Sequence, residues 1–293
     1  MKKIAISILA ISLSVCGLHA QDVKFGIRGG LNLPNLMSGG SSSTPLSEGY
    51  SSRLASGWGL FTELKINSTV SFRFGAEYSG MGGKKDGIQA MPTARLITEM
   101  GSSMAMTMSP AQQQALGGLM AWSQAMPYYY ADINNTAKFD YVMIPLLAQF
   151  GWDLGASPLH VYVNGGPFIS FLLSGKQVSK GTSKMYADPS GTLTLWQAMP
   201  VEMQFAIAEI FPQMESVLND PVEYGENNIT GELKSSNFGV SGNIGIRYQH
   251  KRNFFFLEVG GNYGFFTIQD NDANGSNRVG AASVMAGYSF SLF

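Results

Sequence analysis

Two apolar, aromatic-rich runs joined by a short turn constrain this chain more than anything else in it. They are FDYVMIPLLAQFGWDLGASPLHVYVNGGPFISFLLSG, residues 139–175. Gly155, Ser157 and Pro158 break the pattern between them, leaving room on either side for an unusually long strand. Soluble strands average about five or six residues, whereas a tilted strand crossing a bilayer needs about nine to eleven. The hairpin therefore predicts a membrane barrel.

The rest of the chain repeats the period of two. In residues 23–33, Val23, Phe25, Ile27, Leu31 and Leu33 fall on one face, with Lys24, Arg28 and Asn32 on the other. In residues 58–66, Trp58, Leu60, Leu64 and Ile66 oppose Phe61, Glu63 and Lys65, and residues 70–78 set Phe72, Phe74 and Ala76 against Arg73 and Glu77. Residues 238–250, 254–266 and 278–293 alternate in the same way and place Arg247 and Glu258 opposite the apolar face. With the central hairpin, eight strands result.

The connections between them alternate in length. Insertions of about 34–56, 81–138, 174–237 and 267–277 are long, and those between are tight turns. An up-and-down antiparallel outer-membrane barrel has this rhythm, with short periplasmic turns, long extracellular loops and both termini periplasmic. A soluble barrel of eight strands would face its apolar side inward. The alternation alone does not say which face is outside, but an inner face carrying Arg28, Glu63, Lys65, Arg73, Glu77, Arg247 and Glu258 would make a very poor lipophilic-ligand pocket. With lipid outside, those seven residues pair in a narrow lumen.

Residues 1–20 have a basic start, an apolar core and a small residue at Ala20, the pattern of a signal peptide, so the barrel domain spans 21–293. The single cysteine, Cys16, lies in that signal, which leaves no disulfide framework or thiolate metal site. Without Lys2 and Lys3 the balance is 17 basic against 20 acidic residues, which excludes a polybasic nucleic-acid surface.

Four stretches carry a family resemblance: FGIRGGLNL at 25–33, FDYVMIPLLAQF at 139–150, VYVNGGPFISFLLSGK at 161–176 and the closing GYSFSLF at 287–293. Together they resemble the PorT-like outer-membrane β-barrel proteins of the Bacteroidota. The resemblance implies an outer-membrane barrel and, for a few members, a tie to protein secretion or larger outer-membrane assemblies. It covers the strands and not the insertions. Where family members often carry an acidic and a basic residue around the Ile-Pro-Leu-Leu run, this chain has Met143 and Gln149.

The insertions have their own character. Ser109, Pro110 and AQQQALGGLMAW read as a capped helix, and VEMQFAIAEIF between Pro200 and Pro212 reads as another. The two longest insertions hold most of the chain's 16 methionines. Met104, Met106 and Met108 form a spaced run that soft Cu(I) could use, but no His or Cys lies beside it, so no metal or cofactor is assigned. Segments this apolar need cover, from one another or from a partner protein. Met104, Met106, Met108, Trp122, Trp196, Met203, Phe205 and Phe211 are the candidate partner-binding residues.

No enzyme is predicted. His160 and His250 each adjoin a tight turn, without an evident nucleophile and carboxylate around either. The function read from the sequence is a non-enzymatic accessory subunit, docked through its loops onto another outer-membrane or surface protein. The alternatives are a narrow pore and, after it, an enzyme at the barrel rim.

Overall fold

A computed structural model describes residues 22–38, 44–104, 108–271 and 275–292. The signal segment and Met106 lie outside the described residues, as does the side chain of Met104. Eight long strands form the wall: β1 (Asp22–Ser38), β2 (Ala55–Lys65), β3 (Val70–Pro92), β4 (Tyr128–Asp153), β5 (Leu159–Lys180), β6 (Ser236–His250), β7 (Asn253–Gly264) and β8 (Asn277–Ser291). Each pairs antiparallel with its sequence neighbours. β8 returns to β1 from Lys24↔Ser291 to Ser38↔Asn277, which closes the ring.

The outer face of β4 shows where lipid begins. Outward positions along it read Asp132, Asn134, Thr136, Lys138, Asp140, and then Val142, Ile144, Leu146, Ala148, Phe150, Trp152. The change at Asp140 is abrupt. Ten residue steps at about 3.3 Å, tilted by about 35–45°, make an apolar band roughly 25 Å tall. Aromatic residues mark both of its edges. At the upper edge Trp58 stacks on Tyr78 at 5.6 Å, and the Tyr78 hydroxyl donates to Asp140 at 2.5 Å. At the lower, Phe25 meets Phe290, Phe255 meets Tyr288, and the Tyr288 hydroxyl donates to Asn253 at 2.6 Å. Amphipathic rings sit at membrane interfaces because one end is apolar and the other wet.

The wall continues well above the lipid band, which the sequence pattern did not reveal. β3 and β4 stay paired up to Pro92↔Tyr128, and β4 and β5 up to Asn134↔Lys180, although residues 81–138 read as insertion with a helical look. Above the lipid the outward face is free to be polar. GMGGKKDGIQ at 80–89 therefore loses its apolar alternation while its backbone keeps the ladder. β1 likewise runs through Pro34 to Ser38, and Val23, grouped with the lipid face, is buried.

Helices are confined to the ends of these extensions. α1 (Thr93–Met104) and α2 (Pro110–Ala125) bridge β3 to β4. α3 (Leu195–Ala198), α4 (Val201–Ile210) and α5 (Pro212–Asn219) lie between β5 and β6. α2 starts as its sequence requires: Ser109 accepts from the Gln112 amide, the Gln112 side chain accepts from the Ser109 amide, and Pro110 takes the first turn. Tyr186 exchanges two backbone hydrogen bonds with Tyr130, of 2.7 and 2.8 Å, and residues 226–228 pair with 176–178. The insertion after β5 thus continues the ladder on the β5-facing edge of β4 and then folds back onto the outer edge of β5.

The position of the band is testable. Leu146→Arg, at its middle, should cost about 2–4 kcal/mol in lipid-vesicle denaturant titrations, and Thr136→Arg, above it, at most about 1 kcal/mol.

Candidate functional site

The lumen holds the chemistry that the strand pattern pushed inward. Arg28 bridges Glu258 at 2.7 Å and Glu77 at 2.6 Å. Arg247 grips Glu63 with both guanidinium nitrogens, at 3.0 and 2.5 Å. Arg73 binds Glu258, lies 3.6 Å from Glu63 and donates to Gln149 at 3.0 Å. The structure thus joins six of the seven candidate lumen residues into one network of ion pairs. Lys65 stands apart at the tight-turn mouth and makes no ion pair among the described residues.

Its place is taken by Lys24, buried 3.4 Å from Glu63 and 3.8 Å from Asp22. Four cations, Lys24, Arg28, Arg73 and Arg247, therefore meet the carboxylates of Asp22, Glu63, Glu77 and Glu258. The alternation in β1 already set Lys24 beside Arg28, so that signal was present. Other members lacked one. The Tyr162 hydroxyl donates to Glu258 at 2.8 Å, and Asn164 donates to the same oxygen at 3.4 Å. Gln149 accepts from Arg73 and passes a 3.2 Å hydrogen bond to Ser71.

Three rings enclose Arg73, and three glycines make room for them. Its guanidinium lies 4.5 Å from the Phe61 ring, 5.4 Å from Phe256 and 5.6 Å from Tyr162. Each ring faces a glycine directly across a strand pair: Phe61 opposite Gly26, Tyr162 opposite Gly245, Phe256 opposite Gly287. A Cβ on any of the three glycines would fall 2.2 or 2.3 Å from a ring carbon. The rings lie flat because the opposing positions are bare, and there they attract the cation through their π faces.

Above this network lies an apolar layer. Met81, Phe139, Tyr141, Phe168 and Val279 point inward from the wall, and Leu233 and Ile268 enter from the loops. FDYVMIPLL is apolar on both faces, so the period of two could not show that half of it fills the lumen. Ions and rings below and hydrocarbon above make this a plugged barrel.

The insertions form a cap with its own core. Ile97 and Leu119 from the first pack with Met185, Leu195, Ile207 and Phe211 from the second, over Tyr129 and Ile133 of β4. Gln112 of α2 donates to the Ile210 carbonyl at 3.4 Å. Of the candidate partner-binding residues, Phe211 is inside this core, and Trp122, Trp196 and Met203 pack against it. Met108 is half-buried; Phe205 is 73% exposed. At the turn before α3, the Ser190 hydroxyl and the Leu193 and Thr192 amides hold the Asp188 carboxyl well below the usual carboxylate range. That turn is stabilised above the ordinary carboxylate value and weakens only as pH falls through the lower folded one.

At the opposite end His160 bonds Asp153 through Nδ1 and the Gln249 amide oxygen through Nε2 at 3.1 Å. A serine hydroxyl at Nε2, which a catalytic triad would require, is replaced by that amide. Among the described residues there is no cluster of three or more His, Cys, Asp and Glu side chains that could hold a metal.

Comparison with known proteins agrees with this geometry. The family model of the outer membrane protein beta-barrel domain matches residues 19–270. The chain belongs to the outer membrane protein beta-barrel domain family. As such it is an integral protein of the outer membrane. No curated protein matches it. Among solved structures it is similar to a major outer membrane protein of Thermus thermophilus, at 9% identity and TM-score 0.37, covering 92% of this chain and 99% of that one. It is also similar to Ail, the attachment invasion locus protein of Yersinia pestis, at 10% identity and TM-score 0.33, with coverage of 92% and 99%. OprG of Pseudomonas aeruginosa matches at 11% identity and TM-score 0.31, with coverage of 92% and 95%.

Removing one member of the plug should leave a buried charge without its partner. Arg73→Met should lower stability by about 3–5 kcal/mol in denaturant titrations. Lys65→Met should change it by less than about 0.5 kcal/mol.

Proposed function

We propose that this protein is a plugged outer-membrane barrel that carries its cap above the outer leaflet and docks another outer-membrane or surface protein through it. The observation that carries this reading is the outer face of α4. The cap buries most of its large apolar side chains in its own core, yet Phe205 stays 73% exposed and Val201, one helical turn before it, 57% exposed. Side chains four apart share one face of a helix. Large exposed rings on a folded surface are characteristic anchors of protein interfaces.

The rest of the molecule suits a supporting role. A lumen filled by ion pairs, rings and an apolar layer is a poor conduit, which favours docking over a narrow pore. The extended β3–β4–β5 wall lifts the cap clear of the lipid band, and the backbone pairings of Tyr186 and of residues 226–228 tie the second insertion to β4 and β5. Both described ends of the barrel lie on the tight-turn side, in keeping with periplasmic termini and extracellular insertions. The PorT-like motifs in β4 and β5 support a place in an outer-membrane assembly of the Bacteroidota.

The test is purification of tagged protein from its native membrane in mild detergent, with stoichiometric partners identified by mass spectrometry. Val201→Glu with Phe205→Glu should leave the melting transition unchanged and cut partner recovery by at least about tenfold, the order expected for two interface anchors. Recovery equal to that of the unaltered protein would contradict docking through α4.

A further inference from the structure

A cavity of about 300 Å³ lies between the apolar layer of the lumen and the underside of the cap. Its floor is Leu36, Ala137, Phe139 and Leu233, and its roof includes Leu96, Met185 and Val217. The volume is at the small end of ligand pockets, which run from about 300 to 1,000 Å³. The polar groups on its walls are unevenly matched.

Asn135 on β4 and Gln89 on β3, each 4% exposed, are the buried amides of the site, and the Tyr224 hydroxyl on its wall is a further buried polar atom that can accept as well as donate. The Gln89 amide donates to the Ile133 carbonyl at 2.7 Å, so its oxygen faces Asn135 and accepts from Asn135 Nδ2 at 3.2 Å. A backbone carbonyl only accepts, which fixes both amides in this sense. Asn135 Oδ1 is then a buried acceptor with no donor among the described residues.

The charges around the cavity lean the same way. Arg95 is already held by Glu99 at 2.8 Å and Glu232 at 3.0 Å. Lys85 donates to the Pro45 carbonyl at 2.9 Å and stands 5.7 Å from the Tyr50 ring. Glu223, also on the wall, makes no ion pair among the described residues. Arg95 thus holds two of the three carboxylates, and with Lys85 and the exposed Glu223 the lining keeps a surplus of one negative charge beside an orphan amide oxygen. The unmet demand is for a hydrogen-bond donor with positive charge, set above an apolar floor.

We propose that this vestibule binds a small organic cation, an ammonium group on a compact apolar body. The apolar part rests on Phe139 and Leu233, and the ammonium donates to Asn135 Oδ1 within reach of the carboxylate-rich wall. An anion would meet those carboxylates, and a neutral hydrocarbon would leave the Asn135 oxygen unpaired. The site lies beneath the cap and does not depend on the α4 face or on any partner bound there.

The test uses a series of closely matched size and differing charge: tryptamine, tryptophol and indole-3-acetate. Binding to the full-length protein in lipid nanodiscs is followed by ligand-observed NMR, with empty nanodiscs subtracted. Tryptamine should bind at least about tenfold more tightly than the other two, and Glu223→Gln should reduce that preference by about fivefold. Leu96→Trp, which fills the roof, should weaken tryptamine by about tenfold at an unchanged melting temperature. If that variant misfolds, Ala90→Trp on the wall serves in its place. No binding above empty nanodiscs, equal affinity across the three charges, or full affinity in the filled and folded variant would each overturn the proposal.

Discussion

A bilayer offers no water to an unpaired backbone group, and this constraint organises the molecule. Every strand edge must find a partner, so eight strands close through β8 and β1. Closure has a second consequence. Side chains alternate across each strand, so a wall that is apolar outside sends its other residues inward, and in a ring of eight the interior is only about as wide as the side chains that fill it. Charges sent there cannot stay hydrated, and they persist because they meet one another.

Arg73 is where these demands converge. It is among the largest fully buried side chains, held by Glu258 and Glu63 and walled by Phe61, Tyr162 and Phe256. The rings reach it because Gly26, Gly245 and Gly287 give them floor space across the strand pairs. Replacing such a cluster with hydrocarbon of equal volume can be neutral or stabilising, whereas removing a single member strands the others. The members of the network therefore depend on one another, and the loss of one costs more than the cluster as a whole contributes.

The wall and much of the lumen chemistry were legible in the sequence, because lipid enforces a strict alternation. Arg28, Glu63, Arg73, Glu77, Arg247 and Glu258 could each be placed on the inner face from their neighbours alone. What could not be read obeys a different constraint. Above Asp140 the outer face meets water, so residues 80–92 and 128–138 lose the apolar half of the pattern and resemble loop while remaining strand. Phe139, Tyr141 and Phe168 sit in strands apolar on both faces, where periodicity carries no direction. Tyr162 and Gln149 joined the network through side-chain reach, which spacing does not encode. Phe211, grouped with a partner surface by composition, is buried in the cap because two insertions distant in sequence fold against each other.

The proposed reading makes this a barrel whose filled lumen conducts little beneath a cap of two insertions. Planar-bilayer conductance of the purified, refolded protein tests that claim most directly. The account predicts a current no different from that of the bare membrane at any moderate voltage. A stable ohmic channel, with conductance that scales with salt concentration, would contradict it.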